Sequence, residues 1–90
     1  MYKIKNYSKE KAKLLNVDIK PSSNKNKKID VYKEGKKIAS IGAIGYKDYP
    51  TYLLEDKEVA NKRRALYLRR HKKDISKVGS NGYYASRILW

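Results

Sequence analysis

The chain has 90 residues, which is enough for one small domain. It contains 23 Lys and Arg against nine Asp and Glu, giving a formal net charge of +14 at pH 7. The absence of cysteine excludes disulfides, thiolate nucleophiles and thiolate metal ligands. No stretch resembles a signal peptide or is apolar for long enough to cross a bilayer, which predicts a non-secreted protein without membrane insertion.

The positive charge is spread along the whole chain. Residues 1–45 carry a net charge of +8 and residues 46–90 carry +6. Such a chain repels itself, and a polyanion would relieve that repulsion. Nucleic acid, with DNA favoured, is therefore the predicted partner. An acidic protein, an anionic membrane surface and a purely solubilising charge are the alternatives.

Alternating apolar residues predict an antiparallel sheet of about three strands within residues 13–45. The strands are indicated by Leu15, Val17 and Ile19, by Ile29 and Val31, and by the run from Ile38 to Ile44. A turn at Glu34-Gly35-Lys36 joins the last two strands. The loop before the second strand is rich in Ser, Asn and Lys, and we expect it to be a mobile basic tip. Tyr2 and Ile4 are compatible with a further brief strand.

The second half of the chain predicts one long helix over about residues 51–73. Thr51 is a candidate cap, acids lie in the early turns, and Lys and Arg lie in the later turns, as the helix dipole favours. Residues 83–90 end in Ile-Leu-Trp, and we expect them to dock as a tail or short helix with Trp90 buried. The predicted fold is thus a single α+β domain over residues 1–90, with a small antiparallel sheet packed against one long basic helix. Because the core is small, self-association is a further way in which the fold would be stabilised.

The stretch NKRRALYLRRHKKD, residues 61–74, has no acid between Lys62 and Lys73. On a helical wheel, Arg63, Arg70 and His71 share a sector with Tyr67 and several apolar residues. We expect these four residues to be structural, with both arginines paired with carboxylates such as Asp48, Asp56 or Asp74. The alternative is that this mixed Arg–Tyr face is itself a recognition surface. The candidate nucleic-acid contacts are Lys25, Lys27, Lys28, Lys57, Lys62, Arg64, Arg69, Lys72 and Lys73.

The sequence gives no indication of catalysis or of a cofactor. His71 is the single histidine and has no acid at metal-ligand spacing. The GAIG segment lacks the Gly-Lys-Ser/Thr that would make it a phosphate-binding loop. The acids are scattered and form no paired-carboxylate pattern. We therefore predict a non-enzymatic protein without a metal site.

Three segments, IGAIGYKDYPTY, KRRALYLRRHKKD and GYYASRILW, resemble a family of small basic proteins of unknown function from giant viruses. These are large nucleocytoplasmic double-stranded DNA viruses. The resemblance covers about half of the chain, and Pro50 departs from it, as does the end at Trp90 where relatives often continue. The matching positions are Gly42, Gly45, Tyr46, Asp48, Tyr49, Arg63, Tyr67, Arg70, His71, Ser86, Arg87, Leu89 and Trp90.

The resemblance implies a viral source and a location in the virion and the infected host cell, in its nucleus or cytoplasm. It supplies no activity. Taken with the charge, it leads us to predict a protein that binds nucleic acid with little sequence preference and is associated with a viral genome or virion. The alternative is a structural or interaction protein that binds acidic viral or host protein surfaces.

Overall fold

The computed structural model describes residues 2–90 and has the α+β architecture that the sequence predicts. Three antiparallel strands form one sheet in the order β1-β2-β3, and helices precede and follow it. None of the helices within residues 2–90 combines the length and the apolar character needed to cross a membrane. The elements are α1 (Asn6–Leu14), β1 (Asp18–Pro21), β2 (Lys27–Lys33), β3 (Lys36–Ala43), α2 (Tyr49–Glu55), α3 (Lys57–Arg70), α4 (Lys72–Ile75) and α5 (Asn81–Ile88).

The β2–β3 hairpin closes where the sequence predicts a turn. Glu34 and Gly35 have φ values of 52° and 79°. Positive φ at both central residues is the requirement of a type I′ turn, whose twist matches that of the flanking strands. The register shifts between Val31 and Tyr32, so that Ile38 is left without a partner on β2. This irregularity is a bulge, which bends the strand locally.

The core lies on one face of the sheet. Ile29 and Val31 of β2 pair with Ile41 and Ala39 of β3, so these four side chains point to the same side. All four are buried. Helices α1 and α5 cover them. The other buried members of this core are Ala12, Val17, Ile88 and Leu89.

The N-terminal segment differs from the prediction. Residues 6–14 form helix α1 rather than extending the sheet, and β1 begins only at Asp18. The buried residues of α1, Ser8 and Ala12, are four positions apart and therefore share one helix face. The Ser8 hydroxyl donates to the carbonyl of Ile88 at 2.8 Å. The helix ends because Asn16 adopts a left-handed φ of 57°, a conformation that Asn tolerates better than most residues.

The predicted single helix over residues 51–73 is in fact three helices. Asp56 has φ −164° and ψ 122°, which interrupts the helical backbone between α2 and α3. Its carboxylate accepts hydrogen bonds from the backbone N–H groups of Glu58 and Val59, so it caps α3. Asp48, rather than Thr51, caps α2. A second interruption at His71 separates α3 from α4.

The C-terminal segment docks as a short helix, as predicted. Ser80 caps α5 by accepting from the N–H of Tyr83 at 3.1 Å. Ile88 and Leu89 are fully buried, whereas Trp90 is half-buried rather than buried. Trp90 stacks on Tyr67 of α3, with ring centroids 4.5 Å apart and planes 9° apart. This stack and the contact with α2 attach the basic helix α3 to the rest of the molecule.

Gly42 and Gly45 provide a matched test of the packing at the end of β3. Both have positive φ, 79° and 97°. A Cβ at Gly42 would lie 2.7 Å from Leu89 Cδ1 and 3.0 Å from Lys28 Cδ, whereas a Cβ at Gly45 would meet nothing within 4 Å. We expect Gly42→Ala to lower the free energy of unfolding by about 1–3 kcal/mol more than Gly45→Ala, because overpacking adds to the shared backbone strain. Equal losses in urea unfolding would contradict this account of Gly42.

Candidate nucleic-acid interface

Helix α3 is attached to the molecule along a face that carries few apolar residues. Ala60 is its single fully buried residue, and Arg64, Tyr67, Leu68 and His71 are half-buried. At 100° per residue, Ala60, Arg64, Tyr67 and His71 lie within about 60° of one another. Ala60 is fully buried on this face, and Tyr67 provides the contact with Trp90.

A second face of α3 is exposed and strongly cationic. Lys62, Arg63, Arg69 and Arg70 are all exposed, and we call these four residues the α3 cation face. They fall within a sector of about 120° that also contains Val59 and Leu66. Val59 and Leu66 are 41% and 42% exposed, so this part of the wheel's apolar sector lies outside the core, whereas Ala60 is buried and Tyr67 packs on Trp90.

The division of the arginines that the sequence suggested does not match this geometry. Arg63 and Arg70 are exposed, and neither is in a salt bridge within the described residues. Among the four arginines of α3, Arg64 is the one that is half-buried. Its guanidinium carbon lies 5.2 Å from the centroid of the Tyr49 ring, and its Nε is buried without a hydrogen-bond partner. The helical wheel assigned the wrong arginines to the packed side because cations occupy nearly every side of α3. The positions of the apolar residues therefore did not identify which side packs.

The carboxylates proposed as partners of Arg63 and Arg70 are used elsewhere. Asp48 forms a salt bridge with Lys28 at 2.9 Å. Asp56 caps α3, and Asp74 lies 3.6 Å from Nδ1 of His71. The remaining predicted contacts of this region, Lys57, Lys72 and Lys73, are exposed.

The predicted basic tip before β2 is organised by a buried carboxylate. Asp30 accepts hydrogen bonds of 2.7 Å from the hydroxyls of both Ser22 and Ser40. Burial opposes ionisation of Asp30, but these bonds and the nearby Lys37 outweigh it and hold its pKa below the usual range. The loop is therefore tied to the sheet at its first residue, Ser22.

Three lysines in the loop before β2 and at the start of β2 were predicted to contact nucleic acid, and one of them is buried. Lys25 is exposed and Lys27 is half-buried, but Lys28 is only 5% exposed. Its ammonium group donates to Asp48 and to the carbonyl of Tyr46. The prediction that Lys28 is a surface contact is wrong, because β2 turns its side chain toward Asp48.

Asp48 is the centre of a buried polar network. Besides the Lys28 ammonium, it accepts hydrogen bonds from the Tyr2 hydroxyl at 2.6 Å and from the Thr51 hydroxyl and N–H at 2.6 and 3.0 Å. Burial opposes its ionisation, yet the bonds from Thr51, Tyr2 and Lys28 together lower the pKa of Asp48. The pKa of Tyr2 is raised, first by burial and then by its bond to Asp48. The side chain is thus a carboxylate with four donors around it.

A cleft of about 620 Å³ separates β3 from α3, and we call it the β3–α3 cleft. Four aromatic residues line it, and so do several cationic residues. Asp48 is the one acid among its lining residues. The aromatic members are Tyr46, Tyr52, Tyr67 and Trp90, and the cationic members include Lys27, Lys47, Arg63 and Arg70.

Sequence reasoning overlooked part of this cleft. Lys47 and Tyr52 were not candidates, and Tyr46 entered only through the viral resemblance. The available signal was the segment YKDYPTY, residues 46–52, which has three tyrosines in seven positions. Within residues 2–90, no group of three or more His, Asp or Glu side chains is arranged to hold a metal ion.

Comparison with known proteins gives one match. The model of a family described as "Family of unknown function (DUF5754)" matches residues 17–51, which include the three strands and Asp48. The α3 cation face lies outside that segment. No curated protein and no solved structure matches the chain. The resemblance to giant-virus proteins therefore stays a prediction.

The Asp48 network generates a prediction on stability and its pH dependence. Asp48→Asn removes the charge beside buried Lys28, and we expect a loss of about 3 kcal/mol or more in urea unfolding at neutral pH. A carboxyl group whose pKa is lowered on folding stabilises the native state above its unfolded pKa of 3.8 and loses this effect as the pH falls through the folded value. The parent protein should therefore lose stability below about pH 4, more steeply than Asp48→Asn. Parallel acid-unfolding curves would contradict an ionised Asp48.

Arg64 and Arg69 generate a second prediction, because they belong to the same helix but differ in burial. We expect Arg64→Ala to lower the free energy of unfolding by about 1–2 kcal/mol, through lost packing of the stem and the lost contact with Tyr49. Arg69→Ala should cost about 0.5 kcal/mol or less, since it is exposed. Thermal melts of both variants measure the difference. A larger loss from Arg69→Ala would show that the packed side of α3 is assigned wrongly.

Proposed function

We propose that the protein binds nucleic acid, with DNA favoured, mainly through backbone phosphates and with little sequence preference. The α3 cation face is the observation that supports this proposal. Its four side chains are exposed and have no carboxylate partner within the described residues. Cations that neutralise phosphates release condensed counterions, and this gain does not depend on base sequence.

The dimensions of the face suit a phosphate backbone. From Lys62 to Arg70 an α-helix rises about 12 Å. Duplex DNA carries one negative charge per about 1.7 Å of its axis, so about seven phosphate charges occur over that length. Each of the four cations can therefore find a phosphate without bending the duplex. Arginine also offers a planar fork that bonds two phosphate oxygens at once.

The distribution of the acids reinforces the positive surface. Asp30 and Asp48 are buried, so two of the nine acids contribute little to the exterior. Only three lysines of the described chain, Lys28, Lys37 and Lys47, lie within 4 Å of a carboxylate. The other 20 of the 23 Lys and Arg have no carboxylate within 4 Å in the described part of the chain, and most of them are exposed. This excess supports a polyanionic partner over a merely solubilising role.

The biological setting that we propose follows from the viral resemblance. A non-enzymatic, sequence-tolerant binder fits a protein that accompanies a viral genome or is carried in the virion. The cations are also compatible with an acidic viral or host protein, and the exposed Val59 and Leu66 would add apolar contact there. Binding experiments with nucleic acid separate these two functions.

The test uses paired charge deletions and a matched control. We expect Lys62→Gln/Arg69→Gln and Arg63→Gln/Arg70→Gln each to lower the salt dependence of duplex binding by about two units in the log–log slope, one for each phosphate contact. Lys9→Gln/Lys13→Gln removes the same charge from the exposed side of α1 and should change the slope less. Electrophoretic shifts or anisotropy over a salt series provide the measurement.

Two outcomes would contradict the proposal in different ways. If the α1 and α3 variants lose the same slope, the binding is diffuse and α3 has no special part. If the parent protein does not bind duplex DNA or RNA at low ionic strength, nucleic acid is not the partner and the acidic-protein function takes its place.

A further inference from the structure

The β3–α3 cleft combines aromatic rings with cations and has no free carboxylate. Its volume of about 620 Å³ is within the range of about 300–1,000 Å³ that is typical of small-molecule sites. Asp48, the one acid that lines it, is already surrounded by the donors of Tyr2, Lys28 and Thr51. An anionic ligand would therefore meet cations and rings without an unpaired like charge.

We propose that this cleft takes an unstacked base of a single nucleic-acid strand, while the adjoining phosphates bind Arg63 and Arg70. The inference rests on the proposed nucleic-acid function and specifies the form of the nucleic acid. A base inside a duplex is stacked and paired on both sides, so it cannot enter a cleft unless it is extruded. A single strand presents its bases without that cost.

The aromatic residues of the cleft differ in how much ring surface they leave free. Tyr67 contacts both Trp90 and His71, each at a centroid distance of 4.5 Å. Its ring therefore already packs against two others. Tyr52 lies 6.3 Å from Trp90 with the planes tilted by 44°. These contacts make a rigid aromatic wall.

Tyr46 is the ring that offers a stacking surface. It is 75% exposed and forms no aromatic pair within the described residues. Its backbone is nevertheless anchored, because its carbonyl accepts from the buried ammonium of Lys28. An exposed ring on a fixed backbone at the rim of a cleft is an arrangement suited to stack on a base.

The cations at the cleft are placed to bind the phosphates on either side of such a base. Arg63 and Arg70 belong to the α3 cation face and also line the cleft. The guanidinium carbon of Arg63 lies 5.8 Å from the centroid of the Tyr52 ring, so it is held beside the aromatic wall. A strand that follows α3 along its phosphates therefore passes the mouth of the cleft.

The test compares a thymidine oligonucleotide of about 12 nucleotides with an abasic deoxyribose-phosphate oligomer of the same length and charge. Trp90 is the single tryptophan of the chain and lines the cleft, so its fluorescence reports on ligands there. We expect the thymidine strand to quench Trp90 and to bind roughly 5- to 150-fold more tightly than the abasic strand, the range typical of one stacked base. The unmodified protein suffices for this comparison.

Variants then locate the stacking surface. Tyr46→Ala should abolish the preference for the thymidine strand and leave affinity for the abasic strand and for duplex unchanged, whereas Tyr46→Phe should retain the preference. Tyr32→Ala, on β2 and outside the cleft, is the matched control. Circular dichroism verifies that each variant is folded.

The outcomes distinguish this inference from the proposed function. Equal affinity for the abasic and thymidine strands, or an unchanged preference in Tyr46→Ala, overturns the cleft as a base site and leaves phosphate binding intact. Failure of all three nucleic acids to bind at low salt overturns the proposed function, and the inference with it.

Discussion

The buried ion pair of Asp48 and Lys28 joins parts of the chain that are far apart in sequence. Lys28 belongs to the middle strand, Asp48 begins α2, and Tyr2 contributes a hydroxyl from the N-terminal segment. Removing both charges from water is costly, and the cost is offset only because Asp48 has four donors and Lys28 bonds a second acceptor at Tyr46. The pair therefore determines where the chain leaves the sheet, and with it the positions of α2, α3 and the cleft.

Burial of acids also shapes the exterior of a protein with a net charge of +14. Self-repulsion among so many cations opposes compaction. Asp30 and Asp48 counter it from inside, where the low dielectric strengthens their attraction to Lys37 and Lys28. Because Asp30 and Asp48 are buried, neither of them neutralises the α3 cation face. Burial of these two acids therefore has two consequences. It stabilises the fold, and it leaves fewer carboxylates at the surface to neutralise the cations there.

The elements with strong local patterns could be predicted, and those that depend on distant contacts could not. The alternation through Ile29 and Val31 and the Glu34-Gly35 turn indicated the hairpin directly, and the apolar C-terminus indicated docking. The break at Asp56 was missed because a capping carboxylate within a helical pattern resembles a favourable acid in an early turn. The pairing of Lys28 with Asp48 spans 20 residues. Charge alone could not distinguish that lysine from its exposed neighbours.

The position of Arg63 and Arg70 links the two binding surfaces physically. These arginines lie on the exposed side of α3 and at the mouth of the β3–α3 cleft, so one phosphate chain can reach both surfaces. Phosphate binding weakens steeply with salt because counterions are released, whereas stacking of a base on an aromatic ring has no such dependence. Stacking in the cleft would therefore account for a growing share of affinity as salt rises. In the proposed mode the α3 cation face binds the phosphates of any nucleic acid. The β3–α3 cleft selects single strands, because their bases are not held in a stacked duplex.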